Sequence, residues 1–389
     1  NYHRGQTVYV TDASRAVGTV QSLLSLEGRQ NYIEKVRAEY RKVADAHARA
    51  ELDKTRLALT AARANALKLD FATYDPPKPT FTGTRVFHSY DVAELVPYID
   101  WTPFFRTWEL RGRFPDLLDD PAQGAAARQL YEDAQDMLRR IIAERWFDPK
   151  AVIGFWPANA VGDDIRLYTG ESRNEELATL HTLRQQLGKR EGRHNLALSD
   201  FIAPASSGKV DYAGAFVVTA GAREEKFAQR FAKANDDYRS ILVKALADRI
   251  AEALAERMHE RVRREFWAYA PDEVLTNDER IAETYRGIRP APGYPAQPDH
   301  TEKAALFRLL EAERRIGVKL TESFAMWPGS SVSGLYFAHP DAHYFGVGKI
   351  ERDQVEDYAK RKSMTNEEME RWLAPILNYD RAGAPVAAE

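Results

Sequence analysis

Apolar residues recur at three- to five-residue steps through 224–267, where Ile241, Ala245, Ile250, Leu254, Met258, Val262 and Phe266 predict the longest helix of the chain. The same period predicts helices over 125–146, with Leu130, Ala134, Met137 and Ile141 on one face, and over 301–316, with Leu306, Leu309 and Leu310. Residues 30–66 favour helix by their Ala, Arg, Lys, Glu and Leu content, and their polar surroundings predict exposure. Helices over 352–362 and 365–373 and an Ala/Pro/Gly tail close the chain. The strand patterns are shorter. They cover 7–10, followed by a helix start capped near Asp12, and then 151–156 and 162–168 around a loop at Pro157-Ala158-Asn159. Residues 198–204 and 214–219 form a second pair around a turn at 206–209, and 323–328 and 332–337 a third, joined by Gly329-Ser330-Ser331. The prolines of 74–79 force an extended linker or surface crossing between these blocks.

One loop stands apart. Arg289-Pro290-Ala291-Pro292-Gly293-Tyr294-Pro295 surrounds an arginine and a tyrosine with prolines and a glycine. Each proline fixes φ near −65° and removes a donor, so the segment reads as a stiff extended loop whose remaining backbone polar groups face outward. A guanidinium held there presents a planar fork of donors suited to a carboxylate, and Gly293 permits close approach to the backbone. A rigid connector with one solvated arginine is the plain alternative. Asp100 lies among Ile99, Trp101, Phe104 and Phe105, where a carboxylate needs a cation, a ligand or a helix N-terminus to cap. Tyr344 and Phe345 offer a stacking surface for a flat ring, or ordinary core packing. Asp248, Glu252 and Glu256 form an i, i+4 acidic ladder, read as a solvated face. Asp163 and Asp164 read as turn chemistry rather than a metal site, because adjacent side chains in a strand face opposite ways.

Composition narrows the function classes. At 389 residues the chain holds one large domain or two to three average ones, and 44% hydrophobic with 29% charged residues fits a soluble globular protein. A net charge of −3 and the lack of a basic stripe give no case for nucleic acid. No apolar run approaches the roughly 20 residues of a membrane span, and with no signal-peptide pattern the default is cytoplasm. The chain has no cysteine, which excludes disulfides, thiolate metal sites and thiol nucleophiles. Phosphate-binding glycine loops, the G-x-S-x-G nucleophile elbow and H-E-x-x-H are absent, and His339 and His343 in their Pro-interrupted loop make a weak metal site. What remains is a stiff arginine loop, an aromatic-flanked aspartate and an aromatic pair, which suit a zwitterionic ligand with an aromatic ring.

Four stretches carry a family resemblance: Arg289 to Tyr294, Tyr98-Ile99-Asp100-Trp101-Thr102-Pro103-Phe104-Phe105, Thr321 through Gly329, and His339-Pro340-Asp341 through Tyr344-Phe345. Together they resemble the C-terminal activation module of cobalamin-dependent methionine synthase, which binds S-adenosylmethionine. The resemblance runs from Val8 to Pro375. It implies an α/β (α+β) fold, a C-shaped domain with a twisted, mainly antiparallel sheet flanked by helices, not a Rossmann-type methyltransferase. Within it, residues 1–70 would form an N-terminal strand and helical segment, and 71–389 the main body. The implied role is repair: S-adenosylmethionine supplies a methyl group and a flavodoxin or flavoprotein reductase supplies one electron to restore methylcobalamin from cob(II)alamin. Cobalamin would sit on a partner domain, not on this chain, and the protein would need no catalytic side chain of its own. The resemblance further implies that Arg289 holds the ligand carboxylate, that Asp100 meets its amino group or nearby polar atoms, and that Ala291, Gly293 and Tyr294 add backbone and ring contacts. Tyr344 and Phe345 would lie beside the adenosine, and Asp248 and Glu252 would face the cobalamin domain. The family's homocysteine, folate and cobalamin modules are expected to have no counterpart here, and the cobalamin signature D-x-H-x-x-G is expected to be absent, so the chain reads as an excised fragment or a separately encoded activation domain.

Overall fold

Strands whose two faces are both apolar must be covered on both sides, and two such strands organise the molecule. The computed structural model describes residues 6–10, 13–52 and 55–380, without the side chains of 13–15 and 46–52. The chain begins with helices α1 (Ala13–Leu24), α2 (Arg29–Leu52) and α3 (Leu59–Ala64), then β1 (Gly83–Phe87), α4 (Val92–Leu95), α5 (Trp101–Thr107) and α6 (Gly124–Ala143). Strands β2 (Lys150–Val161), β3 (Asp164–Tyr168), β4 (Glu176–His181) and β5 (Asp211–Thr219) follow, and then α7 (Arg223–Lys233), α8 (Asp237–Arg261) and α9 (Asn277–Ile281). The last part comprises α10 (Lys303–Leu310), α11 (Ala312–Ile316), β6 (Lys319–Leu320), β7 (Met326–Trp327), β8 (Ser331–Tyr336), α12 (Arg352–Lys362) and α13 (Asn366–Trp372).

The main sheet has the order β4-β3-β2-β5-β8, with β1 beside β3 on the same flank of β2, and every pairing is antiparallel. Ala151, Ile153 and Phe155 of β2 face one core, shared with Leu246, Ile250 and Leu254 of α8. Val152, Trp156 and Ala158 face a second core, closed by Leu306 and Leu310 of α10 and Ile316 of α11. The antiparallel sheet flanked by helices is the architecture the sequence led us to expect.

Several local expectations are corrected. Residues 7–10 form no strand, and Asp12 and the tail at 381–389 lie outside the described residues. The 30–66 helix is two helices, α2 and α3. Pro157 does not break its strand. The Ala160 N–H points to the β5 side, where it donates to Ala203 O, so position 157 faces the other flank. There the pairing with β1 ends at Phe155 of β2 and that with β3 begins at Ala158 of β2, and the missing donor falls in the gap. Residues 198–201 are a 3-10 turn rather than a strand, closed by the Asp200 carboxylate accepting the Ala197 N–H at 2.9 Å. The 224–267 helix divides at Asn235 (φ 57), where Asp236 caps α8, and ends in a π turn at Val262–Phe266. Among the described residues Met326–Trp327 pairs with β6 and no other strand. Asp163 and Asp164 are anchors in an ion network. Asp163 binds Arg63 at 2.7 Å and Arg184 at 2.6 Å, and Asp164 binds His181 and Arg361.

Candidate ligand pocket

β8 has a free edge, and the proline loop uses it. Ile288 exchanges both backbone hydrogen bonds with Phe337 at 3.0 Å, and Pro290 O accepts the Leu335 N–H at 2.8 Å. A proline is tolerated there because an edge needs acceptors from it and no donor. The loop then closes on itself: Gly293 N–H donates to Gln297 O at 2.7 Å, Gln297 N–H to Tyr294 O at 2.9 Å, and Val347 N–H to Pro295 O at 2.8 Å. The backbone groups expected to face outward are therefore largely spent inside the protein. Gly293 has φ +96, and a Cβ there would lie 2.3 Å from the His300 ring, so the group that approaches it closely is His300.

Against this loop lies a cavity of about 510 Å³, of a size that suits a drug-sized or cofactor-sized ligand. Arg289, Ala291, Tyr294, Tyr344 and Phe345 line it together, joined by two carboxylates, Glu252 from α8 and Glu283. Pro290, Pro295, Ala296, Phe216 and Val332 complete apolar walls. Tyr294 is 60% exposed at the rim. The Tyr344 hydroxyl accepts the Arg289 N–H at 2.9 Å and so fixes the wall to the loop. Glu283 has φ 55, a left-handed conformation that is uncommon for a non-glycine residue and that places its side chain here. Burial raises the Glu283 pKa, with Arg289 opposing and Glu256 reinforcing.

Arg289 is set from behind. Its Nη2 lies 2.7 Å from Glu256 Oε2, and its Nη1 donates to the Tyr285 hydroxyl at 2.8 Å and to His259 Nδ1 at 3.3 Å. No acceptor among the described residues meets its Nε. Burial lowers the arginine pKa, but Glu256, Tyr285, Tyr344 and Glu252 together outweigh it and the group stays charged. His259 is fully buried, and burial together with Arg263 and Arg289 holds its pKa well below the ordinary histidine value. It is therefore a neutral acceptor, stacked on Tyr336 at 5.3 Å and edge-on to Tyr285 at 4.9 Å. Behind Arg289, Glu256 Oε1, His259 Nε2 and Tyr336 Oη are buried without a hydrogen-bond partner among the described residues.

The structure separates the remaining candidates. Asp100 does not line the cavity; it caps α5, its Oδ1 accepting the Thr102 N–H at 2.9 Å. The acidic ladder splits: Asp248 is exposed and away from the walls, Glu252 lines the cavity, and Glu256 is buried against Arg289. Glu283, Tyr285, His259 and the role of Glu256 were not legible, because their meeting depends on where α8 crosses the β8 edge. The expectation that the D-x-H-x-x-G spacing is absent is corrected by the sequence itself, since residues 341–346, Asp-Ala-His-Tyr-Phe-Gly, spell it. Here Tyr344 and Phe345 of that string are pocket wall, and His343 packs edge-on to Phe201 at 5.5 Å with Nδ1 2.8 Å from Asp341 O. The string is local packing.

Among the described residues no helix is long and apolar enough to cross a membrane, and no group of three or more histidines and carboxylates is placed to hold a metal. The family model for the vitamin B12-dependent methionine synthase activation domain matches residues 91–363. A solved structure, the MetH reactivation domain bound to AdoHcy, is 54% identical in sequence with a TM-score of 0.82, covering 84% of this chain and 99% of that one. The resemblance carried by the Arg289 loop and its companion motifs thus agrees with both comparisons. The chain belongs to the activation-domain family of vitamin B12-dependent methionine synthase.

Proposed function

We propose that this chain binds S-adenosylmethionine in the Arg289 cavity and presents its methyl group for the reductive repair of a cobalamin carried by a partner domain. The observation that carries the reading is one guanidinium, two carboxylates and an aromatic wall around a cavity of about 510 Å³. Each part of the ligand has a counterpart. Arg289, with Nε open and its other nitrogens fixed by Glu256, Tyr285 and His259, suits the carboxylate. Glu252 and Glu283 suit the ammonium and the sulfonium charge. Tyr294, Tyr344 and Phe345 suit the adenine face. Ala291 and Gly293 shape the loop that carries these groups, and Asp100 caps α5 outside the cavity lining.

When bound by its partner domain, cobalamin supplies the nucleophilic cobalt that accepts the methyl group, so no general base is required of this chain. The chain contributes position: an anchored amino-acid end and a clamped ring hold the sulfonium methyl in one orientation. In this reading a flavodoxin or flavoprotein reductase supplies the electron, the chain alone does not turn over, Asp248 and Glu252 face the cobalamin domain, and residues 71–389 form the working body. Residues 55–70 dock onto that body, with Leu59 N–H donating to Asp353 at 2.6 Å and Arg63 bound to Asp163 and Asp357 at 2.7 Å. Calorimetric titration with S-adenosylmethionine, with adenosine as control, tests the first half. A labelled methyl group, a cobalamin-loaded partner and a reductant test the second. Binding without label on cobalt would leave a sensor domain in place of a transferase module.

A further inference from the structure

His343, one residue before the Tyr344 wall, lines a different cleft, of about 500 Å³. Its other walls carry Lys189, Arg190, Arg193 and His194, with Leu67 and Leu196 as apolar floor. No carboxylate lines it, and none of Lys189, Arg190 and Arg193 forms an ion pair among the described residues. Lys189 is half-buried and Arg190 and Arg193 are exposed, whereas the buried Arg184, Arg263 and Lys362 are each paired with carboxylates. The cluster is not a loose loop in which the charges can drift apart. Gly188 N–H donates to Thr55 O at 2.7 Å, Asn195 Nδ2 to Gln185 O at 2.8 Å and Leu187 O at 2.9 Å, and Asn65 Nδ2 to Arg193 O at 3.0 Å. Gly192, at φ +77, makes the turn that brings Arg193 back beside Lys189. Burial and, after it, the Arg193 charge hold the Lys189 pKa below its usual value, and the Arg193 part is repulsion that a bound anion offsets. The overall charge of −3 conceals the cluster, because it is local.

We propose that this cleft is a second binding site, for a phosphate-bearing small molecule held by Lys189, Arg190 and Arg193, with a flat or apolar portion against Leu67, Leu196 and the His343 ring. The size of the enclosure and its apolar floor favour a small molecule over a broad acidic protein surface. Free diphosphate and a phosphate ester share the required chemistry, so both serve as probes. The test is calorimetric titration of the 389-residue chain at fixed ionic strength with inorganic pyrophosphate and, separately, phenyl phosphate. It compares wild type, the exposed double variant Arg190→Gln/Arg193→Gln and the control Arg289→Ala, with thermal unfolding as a check on folding. Saturable binding is expected, weakened about tenfold or more by the double variant, because each charge-assisted contact is worth at least that factor, and unchanged by Arg289→Ala. Tighter binding of phenyl phosphate assigns an ester ligand, and tighter binding of pyrophosphate a free diphosphate. The proposal is overturned by no saturation beyond a chloride control, by binding that the double variant leaves intact, or by binding that Arg289→Ala abolishes. It is also overturned if a poly-glutamate peptide binds more tightly than either phosphate and neither displaces it.

Discussion

Replacing Arg289 with alanine tests the pocket most directly, and the structure changes what that variant should do. As a solvated arginine on a stiff loop, it would be removed with little effect on stability. In the fold, however, its side chain is 18% exposed and 2.7 Å from Glu256, itself 11% exposed. Truncation leaves a carboxylate, a tyrosine hydroxyl and His259 Nδ1 without their donor. Removing one partner of a buried pair costs about 3–5 kcal/mol. The pair borders an open cavity that water can enter, so we discount this to about 2–3 kcal/mol. Glu256→Gln in the same background removes the uncompensated charge and should restore about 1–2 kcal/mol, a coupling that a double-mutant cycle in urea reads directly. Affinity for S-adenosylmethionine should fall by about 1.5–3 kcal/mol, roughly 10- to 150-fold, in calorimetry. Stability of Arg289→Ala within about 0.5 kcal/mol of wild type, or strict additivity in the cycle, would refute the supporting role of Glu256. Unchanged affinity would remove the arginine from the site.

Other residues separate binding from folding. Tyr344→Phe deletes the acceptor of the Arg289 N–H and should weaken ligand binding by about 1 kcal/mol with a smaller stability change; equal affinity would assign that hydroxyl to packing. Asp100→Ala removes the α5 cap and should cost about 1 kcal/mol of stability while Asp100→Asn costs little; a large affinity loss in Asp100→Asn would instead show a direct ligand contact. Gly293→Ala meets both a positive φ and the His300 ring, and a loss of about 1–3 kcal/mol is expected in urea unfolding. Burial raises the Asp211 pKa to about 7, against backbone hydrogen bonds from Ala203 and Tyr212 that lower it. Between about pH 4 and pH 7 the folded chain therefore keeps a proton that the unfolded chain has lost, and stability falls as pH rises through that window. Asp211→Asn should flatten this slope relative to wild type, and parallel pH profiles of the two proteins would exclude Asp211 as its source.

Where the pattern of apolar residues depended on local chemistry, the sequence was a reliable guide. Thr365 was expected to open the last helix, and it accepts the Glu368 N–H at 3.2 Å as its cap. The 352–362 helix and the apolar runs of β2, β5 and β8 could be read in advance, and Arg289, Tyr294, Tyr344 and Phe345, named from the sequence as candidates, line one cavity. The errors come from partners distant in sequence. Pro157 continues a strand because two neighbours happen to leave a gap beside it. Glu256 looked like one rung of a solvated ladder, and only the crossing of α8 behind the Pro290 edge turns it into the counter-ion of Arg289. Glu283 carries no local signal, since its place on the wall follows from one left-handed backbone angle.

The balance of charge around the cavity also bears on turnover. Arg289 is already matched by Glu256, so Glu252 and Glu283 leave the walls with an excess of negative charge. On the proposed reading, the donor enters with a net positive charge and leaves as a neutral thioether once its methyl group is gone. Carboxylates at a few ångströms favour the first form over the second without any part of the fold moving. Product release is then written into the electrostatics of the walls, and neutralising Glu252 and Glu283 should narrow the preference for the methyl donor over its demethylated product.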